Sequence, residues 1–513
     1  MTHYSNPVLD ADWPDPDAVR VGDDYWLIAS SFNRAPGLPV LHSRDLVSWE
    51  HVANALPAVP PAGHYALPRH GSGVWAPSLR HHDGLFWIVY PDPDHGIFVL
   101  TAADPRGPWS EPWCLVPGQG LIDPCPLWDD DGRTYLVHGW AKSRAGVKNR
   151  LTVVEVDPGL RRVVGPARTV VDGDELPGFR TLEGPKLYQR DGWYWIFAPA
   201  GGVATGWQTA FRSRSVWGPY EHRVVLAQGD TPVNGPHQGA WVDTPDGADW
   251  FLHFQDRGVF GRVVHLQPMR WDDDGWPVLG DAGSPVLTHP TPVAGAEPGE
   301  PVRSDDFAAP GLAPRWHWQA NPVEGWAVAD GRGTLRLPAQ PSPRGNLRDQ
   351  GAVLCQQLPG QPSTWETRVE LAGEAPGTRA GVVVLGREYA WAGLVRTPGG
   401  VEVTVRRGGT YGDEEILAQQ PVPAGATGVV LRTAVDAEGR VTWAWRDDAP
   451  AGADDVHDEP GWQETAPPWQ AVVGHWIGAE VGLFASAPLG ADLRPDDGGT
   501  FGPVRVTVAG KDA

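Results

Sequence analysis

Asp191-Gly192-Trp193-Tyr194-Trp195 is a tight-turn signal followed at once by a run of aromatic residues, the pattern of a chain reversal that feeds a strand. Four other segments repeat it: Gly22-Asp23-Asp24-Tyr25-Trp26, Asp83-Gly84-Leu85-Phe86-Trp87, Asp131-Gly132-Arg133-Thr134-Tyr135 and Asp246-Gly247-Ala248-Asp249-Trp250-Phe251. The copies lie roughly 50 to 60 residues apart, a period that belongs to propellers and solenoids. Most are followed by a second strand and a polar turn, as in Leu38-Pro39-Val40-Leu41-His42-Ser43 and Gly96-Ile97-Phe98-Val99-Leu100, and helical periodicity is absent. Residues 1–288 are therefore read as a five-bladed β-propeller.

Between Thr288 and Ser304 the periodicity stops and Pro and Gly crowd together, so 289–303 is read as a linker. Beyond it, Thr334–Leu337, Gly351–Cys355, Thr364–Leu371, Ala380–Leu385, Val401–Val405 and Val441–Trp445 alternate well, with Gly, Pro and Asp turns between them. That spacing predicts a β-sandwich over 304–513. A chain of 513 residues exceeds what one core usually supports. Its 27 Trp, 64 Gly and 53 Pro, against two Met, favour short strands and tight turns, so the fold class is all-β.

A formal charge of −22 argues against nucleic acid or an anionic membrane surface as partner and suits a neutral substrate. Cys114, Cys125 and Cys355 are too few, and odd in number, for a disulfide framework; they read as buried, reduced thiols. The first residues lack a basic start and an apolar run, and no stretch approaches about 18 uncharged apolar residues. A cytoplasmic protein is expected. Asp305 and Asp306 read either as oxygen ligands for calcium or as solvated surface acids.

Three carboxylates stand where an apolar run meets a proline stop. They are Asp15 in Trp13-Pro14-Asp15-Pro16-Asp17, Asp123 in Leu121-Ile122-Asp123-Pro124 and Glu183 in Thr181-Leu182-Glu183-Gly184-Pro185. The flanking prolines are expected to hold Asp15 extended and so to aim its carboxylate. Preceding the first, third and fourth aromatic repeats, the acids should start inner strands at one end of the central channel. Convergent carboxylates suit hydrolysis of a glycosidic bond with inversion. One protonates the leaving oxygen while the other, roughly 6.5 to 9.5 Å away, activates water on the opposite face. Glu183 is the candidate acid and Asp15 the candidate base; Asp123 would orient the acid and help keep it protonated. Spacing alone also allows all three to be turn residues.

A sugar has an apolar face and a hydroxyl rim, so aromatic walls and hydrogen-bond donors should surround such acids. Phe32, Trp75, Trp140 and Trp207 are the candidate walls, with packing between blades as the alternative for any one Trp. His237 is a candidate donor or else a structural histidine. Arg262 is a candidate donor and counter-charge, since buried carboxylates need one.

Together these segments resemble glycoside hydrolase family 43, whose β-xylosidases and α-L-arabinofuranosidases are inverting enzymes on a five-bladed propeller. The resemblance is carried by Asn6-Pro7-Val8-Leu9, Pro14-Asp15-Pro16, Gly37 to Leu46 with Trp49, Val74-Trp75-Ala76-Pro77, Leu121-Ile122-Asp123-Pro124, Glu183-Gly184-Pro185-Lys186-Leu187-Tyr188 and Gly261-Arg262. It implies Asp15 as general base, Glu183 as general acid and Asp123 as modulator of the acid. Residues 304–513 resemble the concanavalin-like sandwich of the family's β-xylosidases, in which a loop carries a Phe toward the pocket. Gly474-His475-Trp476-Ile477-Gly478-Ala479 matches that loop, with Trp476 where the Phe would be. Asn33-Arg34-Ala35-Pro36 and Trp140-Ala141-Lys142-Ser143 depart from the more aromatic runs of many β-xylosidases.

No cofactor is implied as required; the resemblance allows a calcium ion on the propeller axis, with His237 at the matching position. The implied function is exo-acting release of β-D-xylose from the non-reducing ends of small xylo-oligosaccharides. The alternatives are an α-L-arabinofuranosidase, both activities on one site, and a carbohydrate-binding protein without catalysis. A homo-oligomer is compatible with each.

Overall fold

The structure, a computed structural model, describes residues 2–510 except 295–298, 300, 302, 343, 424, 425, 427 and 448–460. The turn signals act as local chemistry requires. Asp191 and Gly192 both have positive φ (53° and 70°), as do Asp83 and Gly84 (50° and 73°). A two-residue hairpin turn needs this left-handed pair, and Asp-Gly adopts it at little cost. Arg190 therefore pairs across from Trp193, and His82 from Leu85.

Among the described residues, five four-stranded antiparallel sheets follow one another, each with its strands in chain order. Their inner strands are Asp17–Val21, Ser78–His82, Leu121–Trp128, Lys186–Arg190 and His237–Asp243. The aromatic strands behind them pack between sheets: Trp195, Phe197 and Phe251 are buried together with Trp276 and Met269. His3–Ser5 pairs with Thr288–Pro290, and Leu9 bridges to Val264 of the fifth sheet, so the start of the chain closes the ring. The described α-helix is one turn, Lys142–Ala145.

Two larger sheets face each other in the second half, around a core that includes Trp316, Trp318, Trp365, Trp443, Trp445 and Phe501. Each predicted run there is a strand, with ends moved by a few residues, as in Ser363–Ala372 and Gly400–Gly408. Of the linker read at 289–303, residues 295–298, 300 and 302 lie outside the described residues. The sandwich is bonded directly to the propeller. Ala35 and Trp318 exchange backbone hydrogen bonds at 3.1 and 2.7 Å, and the Asn321 amide bonds Val59 N and O at 2.7 and 2.8 Å.

Two local expectations are corrected. Asp15 is not extended: its φ is +54°, and Asp123, also before a proline, has φ +55°. A following proline excludes the right-handed helical region, but positive φ stays open, and Asp tolerates it better than most residues. Cys114 is exposed, on the outermost strand Trp113–Pro117, while Cys125 and Cys355 are buried; all three are free thiols. The Asp305 carboxylate receives hydrogen bonds from Arg315, Trp316 and the Phe307 amide, and Asp306 caps the Ala308 amide. Asp305 is thus engaged by protein donors, and Asp306 is a surface acid.

Candidate active site

Asp15, Asp123 and Glu183 meet at the starts of the first, third and fourth inner strands. Asp15, 6% exposed, accepts hydrogen bonds from Arg262 Nη1 at 2.9 Å on Oδ1 and from Ser30 Oγ at 2.6 Å on Oδ2. Between them the two donors fix the direction of the carboxylate. Asp123, 4% exposed, uses Oδ2 to accept the amide of Gly184 at 2.7 Å, the residue after Glu183. The Glu183 side chain is 27% exposed and its Oε1 lies 3.2 Å from His237 Nε2. Of the three acids it is the one most open to a ligand.

Burial, then the neighbouring Glu183 carboxylate, push Asp123 well above the usual carboxyl range, with Asp15 adding to the rise; the Gly184 amide and Lys186 act the other way. Two carboxyls this close resist holding two negative charges. Because the folded chain holds the Asp123 proton to higher pH than the unfolded chain does, stability falls as pH rises through the raised pKa. Asp123→Asn should therefore raise Tm at about pH 8 by roughly 2 °C and leave it near that of the parent at about pH 4. Thermal unfolding at both values checks this; a lower Tm at the alkaline value would mean that the charge on Asp123 is stabilising.

Beneath the acids the channel is filled with ions. Lys186, fully buried, donates to Pro77 O at 2.7 Å and Ser78 Oγ at 2.8 Å and lies 3.4 Å from Asp17, which also pairs with Arg80 at 2.9 Å. Asp17 follows Asp15 across Pro16, and Lys186 follows Glu183 across Gly184-Pro185, so the segments that carry two of the acids also supply this ionic layer.

The aromatic candidates divide. Phe32, buried with φ +53°, bridges to Val74 and faces Trp75 at 6.3 Å. Trp75 meets Trp476 of the sandwich edge to face at 6.0 Å, and the Arg144 guanidinium lies 5.5 Å from its ring. Trp140 bonds Thr152 and packs on His138, next to Gly139, where a Cβ would stand 3.5 Å from Asp123 Oδ2. Trp207 packs on Phe179 within the fourth sheet's hydrophobic cluster, and none of its described contacts reaches the acids.

Sequence reasoning passed over Ser30, Gly139, Lys186 and Asp12. Ser30 stands two residues before Phe32, and Asp12 three before Asp15, but nothing local marks either as a partner of the site.

A calcium ion of the kind the resemblance allows, held chiefly by waters and a His, would have His237 as its protein ligand. His237 Nε2 is taken by Glu183, its buried Nδ1 has no partner, and no group of three or more His, Cys, Asp or Glu side chains that could hold a metal occurs among the described residues.

Comparison with known proteins decides what this arrangement belongs to. Residues 4–277 match the family described as Glycosyl hydrolases family 43. The chain belongs to that family. Residues 304–494 match the beta xylosidase C-terminal concanavalin A-like domain, so this glycosyl hydrolase has the all-β, two-part architecture in full view of both comparisons. A putative beta-xylosidase of Xylanibacter ruminicola is 38% identical over 77% of the chain and 73% of its own length; of a beta-xylosidase of Formosa agariphila, 32% identical, the chain spans 62%. A non-reducing end alpha-L-arabinofuranosidase of Bacteroides ovatus is 29% identical over 96% of the chain and 93% of its own. The solved xylan beta-1,4-xylosidase of Bacillus halodurans superposes with a TM-score of 0.85 at 25% identity, covering 98% of this chain and 99% of that one. As a family 43 glycosidase the chain is an enzyme, and no helix among its described residues is long and apolar enough to cross a membrane.

Proposed function

We propose that the enzyme removes single β-D-xylose units from the non-reducing ends of xylo-oligosaccharides with inversion, Glu183 acting as acid, Asp15 as base and Asp123 as the group that orients Glu183. The observation that carries this reading is the unequal setting of three convergent carboxylates. Asp15 is held by a guanidinium and a hydroxyl, which aim its carboxylate. Glu183 is the accessible one, and the amide of its neighbour Gly184 donates to Asp123, whose carboxyl is pushed well above the usual range by burial and then by Glu183.

In the proposed reaction Glu183 gives its proton to the glycosidic oxygen while Asp15 takes one from a water that attacks the anomeric carbon from the opposite face. Arg262 keeps Asp15 aimed. Proton transfer and water attack need no cofactor. Trp476, standing over Trp75 from the sandwich, supports a short cleft and exo action.

The names of the Xylanibacter and Formosa relatives favour xylose as the sugar removed. A second reading, release of α-L-arabinofuranose, draws on the Bacteroides relative, which aligns with nearly the whole chain. Initial rates on p-nitrophenyl β-D-xyloside and p-nitrophenyl α-L-arabinofuranoside separate the two: kcat/KM is expected to be at least about tenfold higher on the xyloside, the size of one well-used subsite contact. A preference for the arabinofuranoside would install the second reading. The same assays after dialysis against EDTA should be unchanged; loss of activity restored by Ca2+ would put an ion at His237. Proton spectra of the first anomer released test inversion, and a product that keeps the substrate's configuration would end the proposed mechanism.

A further inference from the structure

A chain of buried contacts runs from the sandwich to the proposed base. Glu480, at the start of the strand Glu480–Pro488, is 1% exposed. Its Oε1 lies 2.5 Å from His317 Nε2 and its Oε2 accepts the Gln319 amide at 2.8 Å. Arg34 of the propeller brings Nε to 2.7 Å from Oε1, an ionic contact too poorly aligned to be a hydrogen bond. Burial alone would raise the Glu480 carboxyl; Arg34 first, then His317 and Gln319, overcome that and hold it at about 2.

Arg34 reaches onward. Its Nη2 donates to Asp12 Oδ2 at 3.0 Å, and Asp12 Oδ1 accepts the backbone amide of Arg262 at 2.9 Å. Arg262 in turn holds Asp15. The turn before Arg262 is shaped to lie on Asp12. Gly261 has φ +76°, and a Cβ there would sit 2.2 Å from Asp12 Oδ1, so any other residue is excluded by both conformation and space. From the other side the same sandwich segment grips the same turn. The Ala479 amide donates to Val259 O at 2.7 Å, and a Cβ on Gly478 would lie 2.6 Å from Gly261 N.

We propose that Glu480 is a positioning residue for the proposed base: through Arg34 and Asp12 it fixes the Gly261-Arg262 turn, and hence the guanidinium that aims Asp15. A buried ion pair of this kind is seldom a gain in stability, since removing two charges from water costs about as much as their attraction returns. What it does supply is a fixed geometry. The inference rests on Asp15 being the base and makes the sandwich part of the catalytic apparatus.

Glu480→Gln keeps the shape and one acceptor but releases Arg34. On p-nitrophenyl β-D-xyloside, kcat should fall by ~10- to 100-fold, the effect of a small misplacement of a reacting group, while KM stays within about threefold. The loss should persist on 2,4-dinitrophenyl β-D-xyloside, because water activation is needed whatever the leaving group. In an Asp15→Ala background, Glu480→Gln should have little further effect, the two residues acting as one unit.

An unchanged kcat with only a lowered Tm would reduce Glu480 to a structural role and overturn the proposal. So would an equal fold-loss in the Asp15→Ala background, which would mean an effect reaching the reaction by another route. If Glu480→Gln does not fold, Arg34→Lys, which keeps the charge but cannot span both carboxylates, is expected to give the same kcat loss, and an unaltered kcat there is equally fatal. Full activity in Asp15→Ala alone would instead remove the base assignment on which the proposal stands.

Discussion

Asp15→Asn should lower kcat by about 10³-fold or more while leaving KM and folding nearly intact, a loss at the upper end of what general acid–base catalysis supplies. The side chain keeps its size, and its carbonyl oxygen still accepts from Ser30 or Arg262, the two donors that hold the carboxylate. What disappears is basicity. In the proposed mechanism water must be deprotonated in every turnover, so the loss should be the same on p-nitrophenyl and 2,4-dinitrophenyl xylosides. Steady-state rates on both, with circular dichroism to establish folding, are the measurement. A variant within about tenfold of the parent would leave Asp15 a structural acid under Arg262 and send the search for the base elsewhere.

Glu183→Gln should behave differently, and the difference is diagnostic. On p-nitrophenyl xyloside the loss is expected to be about 10²- to 10⁴-fold. On 2,4-dinitrophenyl xyloside, whose leaving group departs without a proton, most of that loss should vanish. The substitution is gentle on the fold, because Glu183 is partly exposed and its hydrogen-bond partner His237 accommodates an amide as well as a carboxylate. An equal loss on both substrates would deny Glu183 the role of acid and point instead to ground-state binding. If both Asp15→Asn and Glu183→Gln follow expectation, the two carboxyls are assigned by independent signatures.

Much of this was legible in the residues. The Asp-Gly pairs at 83–84 and 191–192 dictate left-handed turns, and the aromatic runs behind them alternate into the cores between sheets, so a repeating all-β unit follows from local chemistry. The three acids stood out for a similar reason, each marked by a following Pro or Gly-Pro. Arg262 could be named as a counter-charge because a buried carboxylate needs one. Trp207, named as a candidate wall, packs against the fourth sheet's cluster, and its sequence setting does not separate the two roles because sheet packing and a sugar subsite ask for the same aromatic ring. The extended conformation expected of Asp15 failed because two prolines narrow its backbone without choosing between the extended and positive-φ regions that stay open.

The amino-acid order by itself determined the repeated hairpin, the all-β class, the two-part division and the three positions where an acid stands before a Pro or Gly-Pro stop, because each of these depends on residues within a few positions of one another. Only the tertiary structure decided which partner each acid receives. Ser30 and Arg262 on Asp15, Gly184 on Asp123, His237 on Glu183, and the path from Glu480 through Arg34 and Asp12 join positions as far as 446 residues apart, as from Arg34 to Glu480. Such pairings come from closure of the ring and docking of the sandwich, and hydrogen-bonding chemistry alone cannot choose among 41 basic and 63 acidic side chains.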